Sequence, residues 1–140
     1  MKIDLLENDW TVQVSDIDVK NMTAGEGRVI GKLFLSNLVV VLKNQELNPE
    51  DVLSFCSHFG KINTFSRSKT REKLTNSVAV ADGVARVTGG LNEDGKPGLF
   101  GMKEELDWHT NGVESHTNIY HGAIFYGVRG TAGSRTSWMN

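Results

Sequence analysis

The alternation and spacing of apolar residues predict a strand and then a helix in the first part of the chain. Val12 and Val14 alternate with polar residues after Trp10, a pattern that predicts a half-buried β-strand. Over residues 26–36 the apolar side chains recur in pairs four positions apart, which is the spacing of one stripe on an α-helix. Asn37 is placed to end this helix in a left-handed conformation.

A second strand and a second helix are predicted directly afterwards. Residues 38–42 read Leu-Val-Val-Val-Leu, a short continuous apolar run that predicts a strand buried on both faces. Asn48 is a favourable helix cap, Pro49 is tolerated at the first helical position, and Gly60 provides a stop. The face of this helix predicted to be buried consists of Val52, Cys56 and Phe59.

Strand patterns return in the second half of the chain. Residues 84–88 form a plausible strand, and residues 89–101 form a long glycine-rich loop of the kind that is often functional. Residues 123–128 alternate in apolar character, which predicts another strand. Residues 130–133 then make a turn, and residues 136–139 begin its partner strand.

The composition predicts one ordinary globular domain. The chain has 140 residues, of which 39% are hydrophobic and 23% charged, so we expect a single domain over residues 1–140. A formal net charge of −2 provides no general attraction to nucleic acid or to an anionic membrane. The longest apolar run is far shorter than the roughly 20 residues of a membrane span. We therefore expect no nucleic-acid and no membrane partner.

Cysteine usage and the N-terminus favour a cytoplasmic location. Cys56 is the single cysteine, so an internal disulfide is excluded. The first ten residues are acidic and contain no apolar signal region.

The stretch of residues 105–112 carries the candidate chemistry. It contains His109 and Asn111, and residues two apart in an extended segment point to the same side. An imidazole and a short oxygen-bearing side chain on one face suit a metal ion. Among such sites, the 2-His-1-carboxylate site of non-haem Fe(II) leaves positions open for substrates. Here an amide stands in place of the carboxylate.

The same residues and the neighbouring loop suggest two other kinds of site. His116, His121 and Glu114 near His109 make a zinc site conceivable, but their spacing matches no helical zinc signature. Residues 90–96 match most of a phosphate-binding loop. The next residue is Pro97, which lacks the hydroxyl that Mg²⁺ requires and disfavours the helix that should follow, so a nucleotide-binding loop is excluded.

The order of these features is more specific than any one of them. A helix, the apolar strand at 38–42, the segment Asn48-Pro49-Glu50 opening a further helix, and then Trp108-His109-Thr110 follow one another. From about residue 26 to residue 140 this order resembles the N-terminal half of the taurine dioxygenase-like Fe(II)/2-oxoglutarate oxygenases. The resemblance implies a mainly β fold with added helices, the double-stranded β-helix or jelly roll.

The resemblance also implies a site and an activity. His109 matches the first iron-binding histidine, and Asn111 stands where the family has its metal-binding Asp or Glu. Thr136 matches the threonine that helps to hold the 2-oxoglutarate carboxylate. The implied cofactor is Fe(II) with 2-oxoglutarate as co-substrate, and the implied reaction is hydroxylation of a small molecule. Because an amide oxygen is a neutral and weaker donor than a carboxylate, the alternative is an inactive family member that acts as a binding or interaction domain.

The family places its distal iron-binding histidine and its 2-oxoglutarate-binding arginine in the C-terminal half. None of His116, His121, Arg129 and Arg135 occupies the matching place. We therefore expect this chain to hold the N-terminal portion of an incomplete jelly roll. A homo-oligomer or a second chain that completes the fold is the expected protein partner.

Overall fold

The computed structural model describes residues 1–7, 9–62, 77–81, 83–87, 89–91, 95–96, 107–110, 121–130, 133 and 136–138. The chain divides into two compact units, Met1–Thr110 and Asn111–Asn140. The single domain over 1–140 stays a prediction. Within the described ranges, no helix has the length and apolar character that crossing a membrane requires.

The first sheet has three strands in the order β1-β2-β3. They span Lys2–Leu5 (β1), Thr11–Ser15 (β2) and Val39–Leu42 (β3). β1 runs antiparallel to β2, and β3 runs parallel to β2. The strand predicted from the alternation at Val12 and Val14 is confirmed as β2.

β2 is the central strand and carries the most deeply buried side chains of the sheet. Val14 is 0% exposed and Val12 is 3% exposed. β3 is half-buried at all four of its residues, so the prediction of a strand buried on both faces is wrong. Among the described residues β3 pairs with β2 alone, and an edge position leaves it partly exposed.

The first helix, α1, spans Ala24–Asn37 and begins at a capping box. The backbone N–H of Glu26 donates to Thr23 Oγ1 at 3.2 Å, and the backbone N–H of Thr23 donates to Glu26 Oε2 at 2.8 Å. The hydrogen bond from the Thr23 backbone is the main reason that the pKa of Glu26 is lowered. These contacts start the helix two residues before the predicted range, and α1 packs against β2 and β3.

The end of α1 differs from the prediction by one residue. Asn37 remains helical, and its Nδ2 donates to the carbonyl of Leu33 at 2.8 Å. The positive φ of 61° falls on Leu38, whose N–H donates to the Phe34 carbonyl at 3.1 Å. The prediction that Asn37 is the left-handed cap is therefore wrong, because its side chain binds the last turn while Leu38 takes the strained backbone conformation.

The second helix, α2, spans Pro49–Ser57 and starts as predicted. Asp51 N–H donates to Asn48 Oδ1 at 2.7 Å, and Asn48 N–H donates to Asp51 Oδ2 at 3.0 Å. Lys20 Nζ lies 3.4 Å from the same Asp51 oxygen. The cap at Asn48 and the proline at the first position are confirmed.

The buried face of α2 is not the predicted one. Val52 and Phe55 are buried, Cys56 is half-buried, and Phe59 is 40% exposed. Phe59 lies beyond the end of the helix, so helical spacing no longer sets its direction. Its ring meets the edge of Phe55 instead, with centroids 4.9 Å apart and planes at 75°.

The side-chain amide of Gln45 links the short 3-10 helix Val19–Asn21 to the residues that follow β2 and β3. Gln45 Oε1 accepts from the backbone N–H of Val19 at 3.1 Å, and Gln45 Nε2 donates to the carbonyl of Ile17 at 2.9 Å. Nε2 also donates to the carbonyl of Lys43 at 2.6 Å. The bonds join segments 26 and 28 residues apart beside the core. The buried core cluster consists of Val19, Met22, Ile30 and Phe55.

A second, two-stranded sheet follows. Ser77–Ala81 (β4) and Val84–Val87 (β5) pair antiparallel, with an irregularity between Ala79 and Ala81. The strand predicted over 84–88 is confirmed through Val87, and Thr88 lies outside the described residues. α2 contacts both strands.

The strands predicted in the last part of the chain are wrong for the described residues. Residues 121–130 and 136–138 contain no strand. Phe125 is 70% exposed and Val128 is 73% exposed, because alternation produces a half-buried strand only where a neighbouring strand and a core are present. The ring of Phe125 instead lies 6.3 Å from that of Trp138.

The described residues thus form a mixed arrangement of helices and strands with two small sheets. No barrel-like closure is seen among them, and the jelly roll stays a prediction.

We predict that Gln45→Glu lowers the free energy of unfolding by about 2 kcal/mol, because a carboxylate oxygen replaces the donor that serves two carbonyls. Urea unfolding followed by circular dichroism measures the change. The control is Glu46→Gln at the neighbouring exposed position, where we expect a change below about 0.5 kcal/mol. Equal stability of the two variants contradicts the role of the amide.

We predict that Leu38→Gly raises the free energy of unfolding by about 1 kcal/mol, since glycine removes the strain at positive φ and little apolar burial is lost. Leu38 is 52% exposed. The control, Leu35→Gly, lies inside α1 and is 82% exposed, so we expect a loss of about 1 kcal/mol. Thermal unfolding measures both, and destabilisation by both variants contradicts the account of the helix end.

Candidate metal site

His109 is held by its own segment. Residues 107–110 are all exposed, and His109 Nδ1 lies 2.8 Å from the backbone carbonyl oxygen of Asp107. A carbonyl oxygen can only accept, so Nδ1 carries the proton and donates. In the neutral ring the lone pair is then on Nε2. Metal-binding histidines use this division of labour, with one ring nitrogen fixed by a carbonyl or carboxylate and the other on the metal.

The strand expected around His109 is not present in its described part. Residues 107–110 form no strand, so the prediction of a strand is wrong there, and the extended backbone on which the His109–Asn111 argument relies stays a prediction. Asn111 lies outside the described residues, and the direction of its side chain relative to His109 stays a prediction. The His109 ring donates to the backbone of residue 107 in its own segment. This contact does not depend on pairing with another strand.

Thr136 is described and exposed. It belongs to the unit Asn111–Asn140, whereas His109 belongs to the unit Met1–Thr110. The exposure of His109 and of Thr136 is described for each unit by itself. The three-residue set of His109, Asn111 and Thr136 stays a prediction.

Of the other candidate ligands, some are described by the structure and some are not. His121 and Arg129 are exposed, while Glu114, His116 and Arg135 lie outside the described residues. In the part of the chain that the structure describes, no three His, Cys, Asp or Glu side chains are grouped closely enough to hold a metal ion. The zinc alternative needs undescribed residues and stays a prediction.

Cys56 is free, as the single cysteine requires. Burial is the main cause that raises the pKa of its thiol. A raised pKa reduces the thiolate fraction, so this environment does not activate Cys56 as a nucleophile or metal ligand.

Sequence reasoning missed the part played by Asp107. Its contribution is a backbone carbonyl, which every residue carries, so no residue type at position 107 signals the contact. The chemical group that sets the histidine tautomer is therefore visible only in the structure.

Comparisons with known proteins give one partial likeness. No protein-family model matches the chain, and no curated protein matches it. Among solved structures, the chain is similar to the crystal structure of AAD-2 in complex with Mn(II) and N-oxalylglycine. The identity is 22%, the TM-score is 0.43, and the match covers 55% of this chain and 30% of AAD-2. Less than a third of AAD-2 is spanned, and a likeness of this strength decides neither fold nor function.

We predict that His109 is the Nδ1–H tautomer in the metal-free protein at alkaline pH, because the Asp107 carbonyl requires a proton on Nδ1. Long-range ¹H–¹⁵N correlation spectra of the imidazole rings distinguish the tautomers. His121, whose ring makes no hydrogen bond within the described residues, is the internal comparison. A neutral His109 ring with its proton on Nε2 contradicts the hydrogen bond from Nδ1 to Asp107. Nε2 would then have no lone pair with which to bind a metal.

Proposed function

We propose that this chain is part of a cytoplasmic non-haem Fe(II)/2-oxoglutarate-dependent dioxygenase that hydroxylates a small molecule. The observation that carries the proposal is the order of elements along the sequence. A helix and an apolar strand lead to the Asn48-Pro49-Glu50 helix start, and Trp108-His109-Thr110 comes after β5 in the chain. That order resembles the N-terminal half of the taurine dioxygenase-like oxygenases.

The resemblance names several helices and strands, and those that lie in the described ranges are present. This local structure supports the proposal. α1, β3, α2 and β5 occur in the expected order. The most specific of them is the start of α2. Asn48 and Asp51 exchange hydrogen bonds there, and Pro49 stands at the first helical position, where a backbone N–H would have no partner inside the helix. These elements are consistent with many folds, so the assignment rests on their order together with the histidine motif.

The environment of His109 suits a divalent metal. Its Nδ1 is engaged by the Asp107 carbonyl, and Nε2 keeps the lone pair that a metal accepts. The segment is exposed, so desolvation does not oppose the approach of an ion. Imidazole nitrogen is a good ligand for Fe(II), although equally for other first-row metals.

Asn111 and Thr136 complete the proposed set. The Asn111 side-chain oxygen would bind the metal as a neutral donor, and the Thr136 hydroxyl would donate a hydrogen bond to a carboxylate of 2-oxoglutarate. When bound, Fe(II) would activate O2, the oxidant; decarboxylation of 2-oxoglutarate to succinate and CO2 would supply two electrons, and the C–H bond that becomes C–OH would supply the other two. The task of the chain's own residues is to fix the metal, orient the co-substrate and position the small molecule.

The neutral amide determines the most informative variant. We predict that Asn111→Asp binds Fe(II) at least about tenfold more tightly than the native chain, because a carboxylate is a charged and harder donor. Anaerobic competition with a chromophoric chelator measures the affinity. Adding His109→Ala to this variant should abolish the gain, since both side chains bind the same ion.

His121→Ala is the matched control for this experiment. It removes an exposed histidine that the zinc alternative needs and the iron proposal does not. Retention of Fe(II) binding by His121→Ala, with loss in His109→Ala, supports the proposal. The reverse order of effects, or no response to Asn111→Asp, contradicts it.

Asn111 also favours a second candidate function, a non-catalytic binding domain of the same family. In that case the Asn111 amide would form a hydrogen bond with 2-oxoglutarate or another small acid, and no metal would be bound. Calorimetric titration with 2-oxoglutarate in the presence of a chelator separates the two candidates. Binding that is unchanged by the chelator and lost in Thr136→Ala supports the non-catalytic domain, and binding that requires Fe(II) supports the oxygenase.

A further inference from the structure

Among the described residues, strand β1 is paired along one side only. Its partner is β2, and among the described residues no strand lies along its other side. The backbone N–H of Leu6 donates to the carbonyl of Thr11 at 2.9 Å, which sets the phase of the ladder. By the two-residue alternation of antiparallel pairing, the N–H and C=O of Ile3 and Leu5 point away from β2. β1 therefore presents hydrogen-bonding groups to a further strand.

The two faces of β1 differ in chemistry. Ile3 is opposite Val14 and Leu5 is opposite Val12, so both lie on the face that carries the buried valines of β2. Nevertheless Ile3 is 44% exposed and Leu5 is 59% exposed. The apolar face of the sheet thus continues beyond its covered part and ends at the open edge.

The opposite face of β1 carries one cation and one anion. Lys2 Nζ lies 3.0 Å from Asp4 Oδ2, and the side chains are 65% and 38% exposed. An exposed pair of this kind contributes little stability within one chain. Its spacing of two residues has a further consequence, because a strand with opposite charges at i and i+2 is complementary to an antiparallel copy of itself.

We propose that two copies of this chain associate through β1, antiparallel, with Ile3 opposite Ile3 of the second copy. In this register Lys2 of each copy lies opposite Asp4 of the other, in the non-hydrogen-bonded positions where side chains approach most closely. Ile3 falls in a hydrogen-bonded position, as its outward N–H and C=O require. Met1 and Leu5 face each other across the junction on the apolar side.

The neighbouring registers are disfavoured by the same residues. A shift of one residue brings charged side chains to the apolar face. A shift of two residues that places Asp4 opposite Asp4 of the second copy sets two like charges against each other. Charge and apolar pattern therefore select one alignment.

The proposed dimer joins two three-stranded sheets into one of six strands. It satisfies the outward backbone groups of both copies and covers Ile3 and Leu5, which removes an edge open to unspecific pairing. The two-fold axis passes between the two Ile3 residues, so the interface is closed and association stops at two copies. This inference does not depend on the proposed enzymatic function.

The test uses two charge reversals on the full 140-residue chain. K2D puts two acidic residues on the charged face, and D4K puts two basic residues there. Each variant sets like charges against each other in its own dimer, so we expect self-association roughly tenfold weaker or more. Sedimentation velocity from about 1 μM to about 1 mM, the range of weak complexes, measures it.

The decisive sample is the equimolar mixture of K2D and D4K. Both cross-strand contacts are then between opposite charges, so the mixture should regain the dimer that each variant lacks. Circular dichroism of each variant verifies that the overall secondary structure persists. A native chain that stays monomeric over the whole range overturns the proposal, as does a native dimer that both variants keep or that the mixture fails to restore.

Discussion

The parallel pairing of β2 with β3 is the constraint on which the first unit depends. Parallel neighbours cannot be joined by a tight turn, and here the crossover is the 3-10 helix followed by α1. Because the crossover must return over the sheet, Ile30 of α1 is brought into the core with Phe55 of α2. Gln45 then binds both sides of the crossover, the segment entering it and the segment leaving β3. The capping residue of α2, Asn48, lies three residues later.

The start of α2 could be predicted from the sequence, whereas the end of α1 and the face of α2 that enters the core could not. The Asn48 cap and the Pro49 start need only adjacent groups, and both predictions are confirmed. Leu38 takes the strained conformation because the side chain of Asn37 is already bound to the last helical turn. Phe55, in place of the predicted Phe59, enters the core because the helix ends at Ser57. β1 gave too short a pattern to be recognised without its partner strand.

The candidate site could also be predicted only in part. His109 could be singled out by its residue type and by a family resemblance, and its tautomer follows from a backbone carbonyl two residues away. Asn111 and Thr136 depend on how remote segments are arranged, which local pattern does not determine. The neutral Asn111 amide is the feature that separates an oxygenase from a binding domain. Its chemistry is known from the sequence alone, and its consequence is measurable without any knowledge of the substrate.

The central claim is that His109 and position 111 bind Fe(II) in a way that admits 2-oxoglutarate. Visible absorption of the anaerobic Fe(II) protein on addition of 2-oxoglutarate tests this most directly, because chelation of Fe(II) by a 2-oxo acid produces a metal-to-ligand charge-transfer band. We expect this band in Asn111→Asp, a weaker one in the native chain, and none once His109 is replaced by alanine. Absence of the band in both the native chain and Asn111→Asp, or its persistence without His109, contradicts the claim.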